Sequence, residues 1–243
     1  MPSAPPKGAD ESPLLNNALY RAGRVPAVNC RFPAGRLATK ATLLKFGQAA
    51  VACLDLAWRP LVSRSAVEFR SPAVAAVKVG DSTDCGEVED DTSAFYCSAD
   101  NTIYFDWTLY VEGEHSRTSV QVAVIYTMGH EYGHHLQELT GISDAYGERY
   151  RQKSGDAQLE QTRRSELQAS CLASAFFGAN QRTLALTGNR LYHLRWHEDG
   201  GDAAGFPRDH GSPGNNRAWS RAAFASKNPA SCNTWAAPAK KVS

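Results

Sequence analysis

The apolar positions of this chain change their period along its length, and the changes mark its elements. Leu43, Phe46, Ala50, Leu54 and Trp58 keep the spacing of one helical face. They predict a helix over Ala38 to Leu61, with Pro60 helping to end it. From Val67 to Val79 the pattern alternates loosely and β-branched residues appear, which reads as strand. Gly80 to Ser93 is polar and acidic and reads as loop. Ala94–Cys97 and Thr102–Trp107 flank Ser98-Ala99-Asp100-Asn101, the pattern of a hairpin. Val120, Ala123, Val124, Thr127 and Met128 then restore helical spacing. They predict a helix from Ser119 to Thr140, capped by Thr118 or Ser119 and stopped at Gly141. Gln158 to Phe177 predicts a second strong helix with Leu159, Leu167, Cys171 and Ala175 on its packing face. Leu184–Trp196 gives a third, and a short helix near Asn216–Ala225 follows a Gly/Pro/Asn-rich stretch. A helix, then strands, then helices is the order of an α+β fold.

With 243 residues, 42% of them hydrophobic, the chain can bury a sizeable core as one domain or two lobes around a cleft. Residues 1–14 and 236–243 are Pro/Ala/Lys-rich and are expected to be a disordered segment and a flexible tail, which leaves residues 15–235 as a single domain. The net charge is +1, and no basic run or basic-aromatic stripe occurs, so nucleic acid is not an expected partner. No apolar run reaches the length of about 18 residues that would suggest a membrane span. Met1-Pro2-Ser3-Ala4-Pro5-Pro6 has no charged and apolar leader pattern. An exported protein would therefore carry its signal or anchor outside this sequence, with Met1 an added start. The 6 cysteines include no C-x-x-C pair, which argues against a thiolate zinc site. Their even number suggests disulfides and an extracytoplasmic setting, whether secreted, periplasmic or cell-surface.

The chemistry enters with His130-Glu131-Tyr132-Gly133-His134, an H-E-x-x-H motif inside a predicted helix. Histidines at i and i+4 lie about 40° apart around a helix and can grip one metal ion. The glutamate between them can act as a base on a water at that metal. His135 diverges from His130 by about 140°, so His134 is the better partner and His135 is expected to pack or hydrogen-bond nearby.

A catalytic zinc site usually needs a third protein ligand. The position six residues after His134 is Thr140, and Gln137 stands where an intervening glycine would be, which excludes the metzincin pattern. The reversed H-x-x-E-H pattern is absent as well. A glutamate from a second helix remains. Glu166 is the best candidate, because Ala169 and Ser170 one turn on would let that helix approach closely. On spacing alone a surface Glu166 paired with Arg163 or Arg164 is about as good a reading, and Glu160, Glu148 and His197 are weaker alternatives. His193 and His197 form another i, i+4 pair near Glu198, Asp199 and Asp202, as a second metal site or as solvated helix-end residues.

Together these residues resemble a bacterial family of neutral zinc metallopeptidases. His130–Gln137 reads H-E-Y-G-H-H-L-Q and Glu166–Cys171 reads E-L-Q-A-S-C, against the family's H-E-x-G-H-H-x-Q and E-L-Q-A-D-C. Ala94–Asp100 with Ile103–Asp106 resembles its F-Y-C-P-A-D…Y-L-D segment. His210-Gly211-Ser212 with Trp219 and Cys232 resembles its H-G-S…W…C ending. The resemblance spans about residues 28–235. It implies a zincin-like α+β domain, with a small antiparallel or mixed sheet that offers an edge strand. It also implies Zn2+ held by His130, His134 and Glu166, and the pairs Cys30–Cys53, Cys85–Cys97 and Cys171–Cys232. The chain departs from the family at Ser170, where an aspartate would orient a zinc-bound imidazole. The loop after His210 also matches imperfectly, which weakens any role for Arg217.

The expected function is zinc-dependent hydrolysis of a protein or peptide, with Glu131 as general base. His210 is the candidate oxyanion donor, against a plain role in bonding its own Gly/Pro-rich loop. Ala94, Phe95 and Tyr96 are the candidate edge strand for an extended substrate, against a simple core hairpin. The alternative function is a zincin-scaffold domain, catalytically weak or inactive, that binds a protein partner. Intact Glu131 argues against it and Ser170 for it. A further alternative, a stress-related metal-binding protein, predicts several metal ions per chain.

Overall fold

A computed structural model describes residues 12–90, 92–112, 115–202 and 208–243. At its centre two long helices, α3 (Arg117–Leu139) and α5 (Asp156–Ala179), pack face to face. Glycines make the approach close. A Cβ on Gly133 would come within 2.7 Å of the Ala169 backbone, and one on Gly129 within 2.7 Å of the Phe177 ring. Around this pair lie α2 (Lys40–Arg64), α4 (Ile142–Arg151), α6 (Gly188–Glu198) and α7 (Pro213–Ser226), with a short α1 (Ser12–Leu15). A three-stranded sheet of β1 (Ala73–Val77), β4 (Ala94–Cys97) and β5 (Thr102–Asp106) has the order β1-β5-β4. The β1–β5 pairing is parallel and the β4–β5 pairing is the expected antiparallel hairpin. The fold is therefore mixed α+β and rich in helix. No helix among the described residues is long and apolar enough to cross a membrane.

The main core joins α2, the sheet, α3 and α5 through Phe46, Trp58, Phe105, Met128, Tyr132, Phe176 and Phe177. Three disulfides tie its margins: Cys30–Cys53, Cys85–Cys97 and Cys171–Cys232, the pairs that the family resemblance implied. They point to an extracytoplasmic protein.

Several elements differ from expectation, each for a local reason. Pro60 does not end α2, which runs on to Arg64. Leu56, whose carbonyl loses a partner to the proline, lies on the exposed face where water can serve instead. The strand expected over Val67–Val79 is only Ala73–Val77, because Pro72 just before it cannot donate to a ladder. Inside the expected loop Gly80–Ser93, β2 (Ser82–Thr83) and β3 (Gly86–Glu87) form a two-residue ladder around Cys85. The cap of α3 is Ser116 rather than Thr118 or Ser119, and its side chain accepts from the Ser119 amide. The third helix starts at Gly188, after Ala185 has taken a left-handed φ of 51°. Helix α4 was not foreseen.

Both chain ends also differ where they are described. Residues 1–11 of the expected disordered segment lie outside the described residues, but Leu14 of α1 is buried beside Ile142, Ala145 and Trp235. The expected flexible tail is docked. Val242 is fully buried, its carbonyl accepts from Arg163 Nε at 3.0 Å, and Trp219 Nε1 donates to Lys241. Arg164 secures the preceding turn by donating to the carbonyls of Thr234, Trp235 and Ala237.

Candidate metal centre

The second half of α3 carries His130, Glu131 and His134, and the middle of α5 carries Glu166. The Gly133–Ala169 contact brings the two helices near enough for these side chains to meet. Nε2 of His130 and Nε2 of His134 are 3.2 Å apart, and Glu166 Oε2 lies 3.1 and 3.2 Å from them. Ligand atoms of a tetrahedral zinc site stand roughly 3.3 Å apart, given zinc–ligand bonds of about 2.0–2.1 Å. The three groups thus fit one zinc ion, and all three line the cleft. The reading of Glu166 as a surface partner of the neighbouring arginines does not hold. Arg163 pairs with Asp156 and Arg164 with Glu160.

The ionisable groups of the site act strongly on one another. Burial by itself would depress the His134 imidazole, but Glu166 and then Glu131 overcome it and lift it to about 9. Burial would raise the Glu166 carboxyl, yet His134 and His130 hold it well below the usual carboxylate range. Burial pushes the Glu131 carboxyl up, against the pull of His130 and His134. Glu131 is only 6% exposed and lies close to the Tyr96 backbone amide, which helps to hold its carboxyl down.

That amide belongs to β4, at the edge of the sheet. Asp106 N–H donates to the Ser93 carbonyl. In an antiparallel ladder bonded pairs alternate, so with this register Ala94 and Tyr96 turn their backbone groups away from β5. Ala94, Phe95 and Tyr96 line a cleft of about 560 Å³ together with His130, Glu131 and His134. Helix α4 forms another wall through Asp144 and Tyr146.

Each imidazole is held from behind. Ser170 Oγ lies 3.1 Å from His130 Nδ1. Gln137 Oε1 lies 2.9 Å from His134 Nδ1, and its amide nitrogen donates to Ser165 O and Gln168 Oε1. Sequence reasoning missed this role of Gln137, although its place three residues after His134 puts it on the same helix face. It also missed Tyr126, one turn before His130, whose ring stacks at 5.0 Å on His197. Burial, then the charge of His193, lowers His197 to about 4. Among the described residues the His193–His197 pair joins no cluster of possible ligands, and Glu148 does not line the cleft. His135 is fully buried, with Nε2 2.9 Å from the Arg70 carbonyl.

His210 also reaches the cleft. Its Nε2 is 3.8 Å from Glu166 Oε2 and its Nδ1 is 2.7 Å from Asp209. Partial desolvation would lower this largely exposed histidine, and the charges of Glu166 and Asp209 outweigh it. Among the described residues its loop is fastened at several points. The His210 amide donates to Asp202, and Arg163 donates to the Arg208 carbonyl. Arg217 pairs with Asp199 and does not line the cleft.

A family model described as "Putative neutral zinc metallopeptidase" matches residues 7–191. An uncharacterized protein of Escherichia coli K12, YpfJ, is 26% identical over 204 residues, covering 79% of this chain and 71% of that protein. An uncharacterized protein of Mycobacterium tuberculosis H37Rv, Rv2575, is 28% identical over 125 residues, covering 51% of this chain and 40% of its own length. No solved structure matches.

Proposed function

The chain belongs to the neutral zinc metallopeptidase family, and from that premise we propose that it hydrolyses peptide bonds with a zinc ion held by His130, His134 and Glu166 in a zincin-like site. The observation that carries this reading is the meeting of the three ligand atoms within 3.2 Å beside a buried glutamate. When bound, zinc supplies Lewis acidity, which acidifies water and polarises a carbonyl. Glu131 takes the proton of the attacking water, and its raised affinity for protons suits that task. It then returns the proton to the leaving amine. His210, at the rim beside Glu166, is suited to donate to the oxyanion that forms. The free backbone groups of Ala94 and Tyr96 suit an extended substrate that adds a strand to the sheet. There the Tyr96 amide can donate to the substrate backbone.

Zinc content and cleavage of an unstructured protein, measured for wild type and Glu131→Gln, test this function. One zinc per chain in both, with cleavage by wild type alone, is the expected result. Ser170 favours a second reading, a zinc-binding scaffold that engages a protein partner without cleaving it. Zinc in both proteins with no cleavage across a broad peptide library would select that reading. Absence of zinc would remove both.

A further inference from the structure

We propose that Glu138, assisted by Asp144, selects peptides with a lysine or arginine side chain about two or three residues from the scissile bond, an inference that rests on the peptidase reading above. Both residues line the cleft, and no lysine or arginine does among the described residues. Glu138 follows Glu131 by seven positions, so the two carboxylates share one face of α3, separated by about 10 Å along its axis. An extended peptide rises about 3.3 Å per residue. A substrate lying along the helix with its scissile bond at Glu131 would thus bring its second or third neighbour to Glu138.

The position of Glu138 has no reason in local stability. It lies in the last turn of α3, which carries no basic residue. The negative end of the helix dipole disfavours a carboxylate there. Neither Glu138 nor Asp144 has an ion-pair partner among the described residues. Asp144 sits in the first turn of α4, where a carboxylate helps its helix. Glu138 is therefore the stronger of the two indications, a charge kept in the cleft at a cost to its own helix. It acts on the edge strand as well. After burial, Glu138 is the largest influence raising the Tyr96 hydroxyl to about 12. Arg70, which also acts on Tyr96, does not line the cleft.

The test uses zinc-loaded Glu131→Gln protein and three labelled peptides that differ only in carrying lysine, glutamine or glutamate at matched positions. Fluorescence anisotropy reads their binding. The lysine peptide should bind about fivefold tighter than the glutamine peptide, the upper range for a partly exposed charge pair, with the glutamate peptide weakest. The preference should shrink as salt rises. It should disappear in Glu131→Gln/Glu138→Gln/Asp144→Asn, while Glu138→Gln alone should melt no lower than its parent. Equal binding of the three peptides, a preference for glutamate, or no binding would overturn the proposal. Preferential binding of lysine peptides without their cleavage by wild type would instead leave the cationic site standing and remove the peptidase reading.

Discussion

Ser170 Oγ stands 3.1 Å from Nδ1 of His130, on the side of the imidazole away from Glu166. The histidine is thus fixed in orientation by a group from the same helix that supplies the third candidate ligand. A hydroxyl can accept the Nδ1 proton, but it adds no negative charge to make the ring a stronger donor to metal. The family pattern has a carboxylate at this position, so this chain keeps the geometry of the support without its charge.

Replacing the support should therefore tune zinc affinity in both directions. Loss of such a partner typically costs 10–100-fold in metal affinity or activity. Ser170→Ala should weaken zinc by about tenfold or more, and Ser170→Asp should tighten it by about tenfold. Competition with a chromogenic chelator measures both. Identical affinities in the three proteins would show that this contact does not tune the site.

The α3–α5 contact should be as sensitive as the ligands themselves. A Cβ at residue 133 would meet the Ala169 carbonyl oxygen and Cα at 2.7 Å, and backbone in a buried helix cannot step aside easily. Gly133→Ala should cost about 1–3 kcal/mol of stability. It should also weaken zinc binding by pushing Glu166 away from His130 and His134. Chemical denaturation and chelator competition separate the two effects. A variant with unchanged stability and affinity would mean that the helices are free to slide.

The sequence shows the ligand helix clearly, because H-E-x-x-H adds its own chemistry to an apolar stripe. It shows Glu166 less directly, since distance across two helices has no spacing rule and the family pattern had to choose it. Helix α4 stays hidden for a different reason. Ile142–Arg151 is mostly polar, with only Ile142 and Ala145 buried, so its face is too narrow to read as a period. The docked C-terminus is hidden because its anchors are Arg163 and Arg164 donating to backbone carbonyls, contacts that any sequence offers equally. Gln137 stayed unread because its side chain serves His134 on one side and α5 on the other, a role that only the packed helices define.

His135 should make the fold sensitive to acid. Its folded state is lowered from the ordinary value of 6.5 to about 4, chiefly by burial. Between those values the unfolded chain binds the proton and the folded one does not. Its stabilising contribution is therefore complete above pH 6.5 and is lost as pH falls toward 4. The amount is roughly 3 kcal/mol, at about 1.4 kcal/mol per pH unit. Urea unfolding at several pH values should show stability falling through this window. His135→Gln should show a shallower fall, and an equal slope in both proteins would assign the acid response to other groups.

His210 allows the ligand and donor roles to be separated. Its Nε2 comes no nearer than 3.8 Å to Glu166, against 3.1–3.2 Å for the two α3 histidines, and its side chain is 57% exposed. Such a group can move toward a developing charge at the rim without being needed to hold the ion. His210→Ala should thus keep one zinc per chain and its melting temperature. It should lower kcat about 100-fold, the loss typical of one oxyanion donor, with little change in KM. His210→Gln, which retains a donor, should recover part of kcat. Loss of zinc from His210→Ala would make this residue a ligand instead, and unchanged kcat would leave it as a fastening of its own loop.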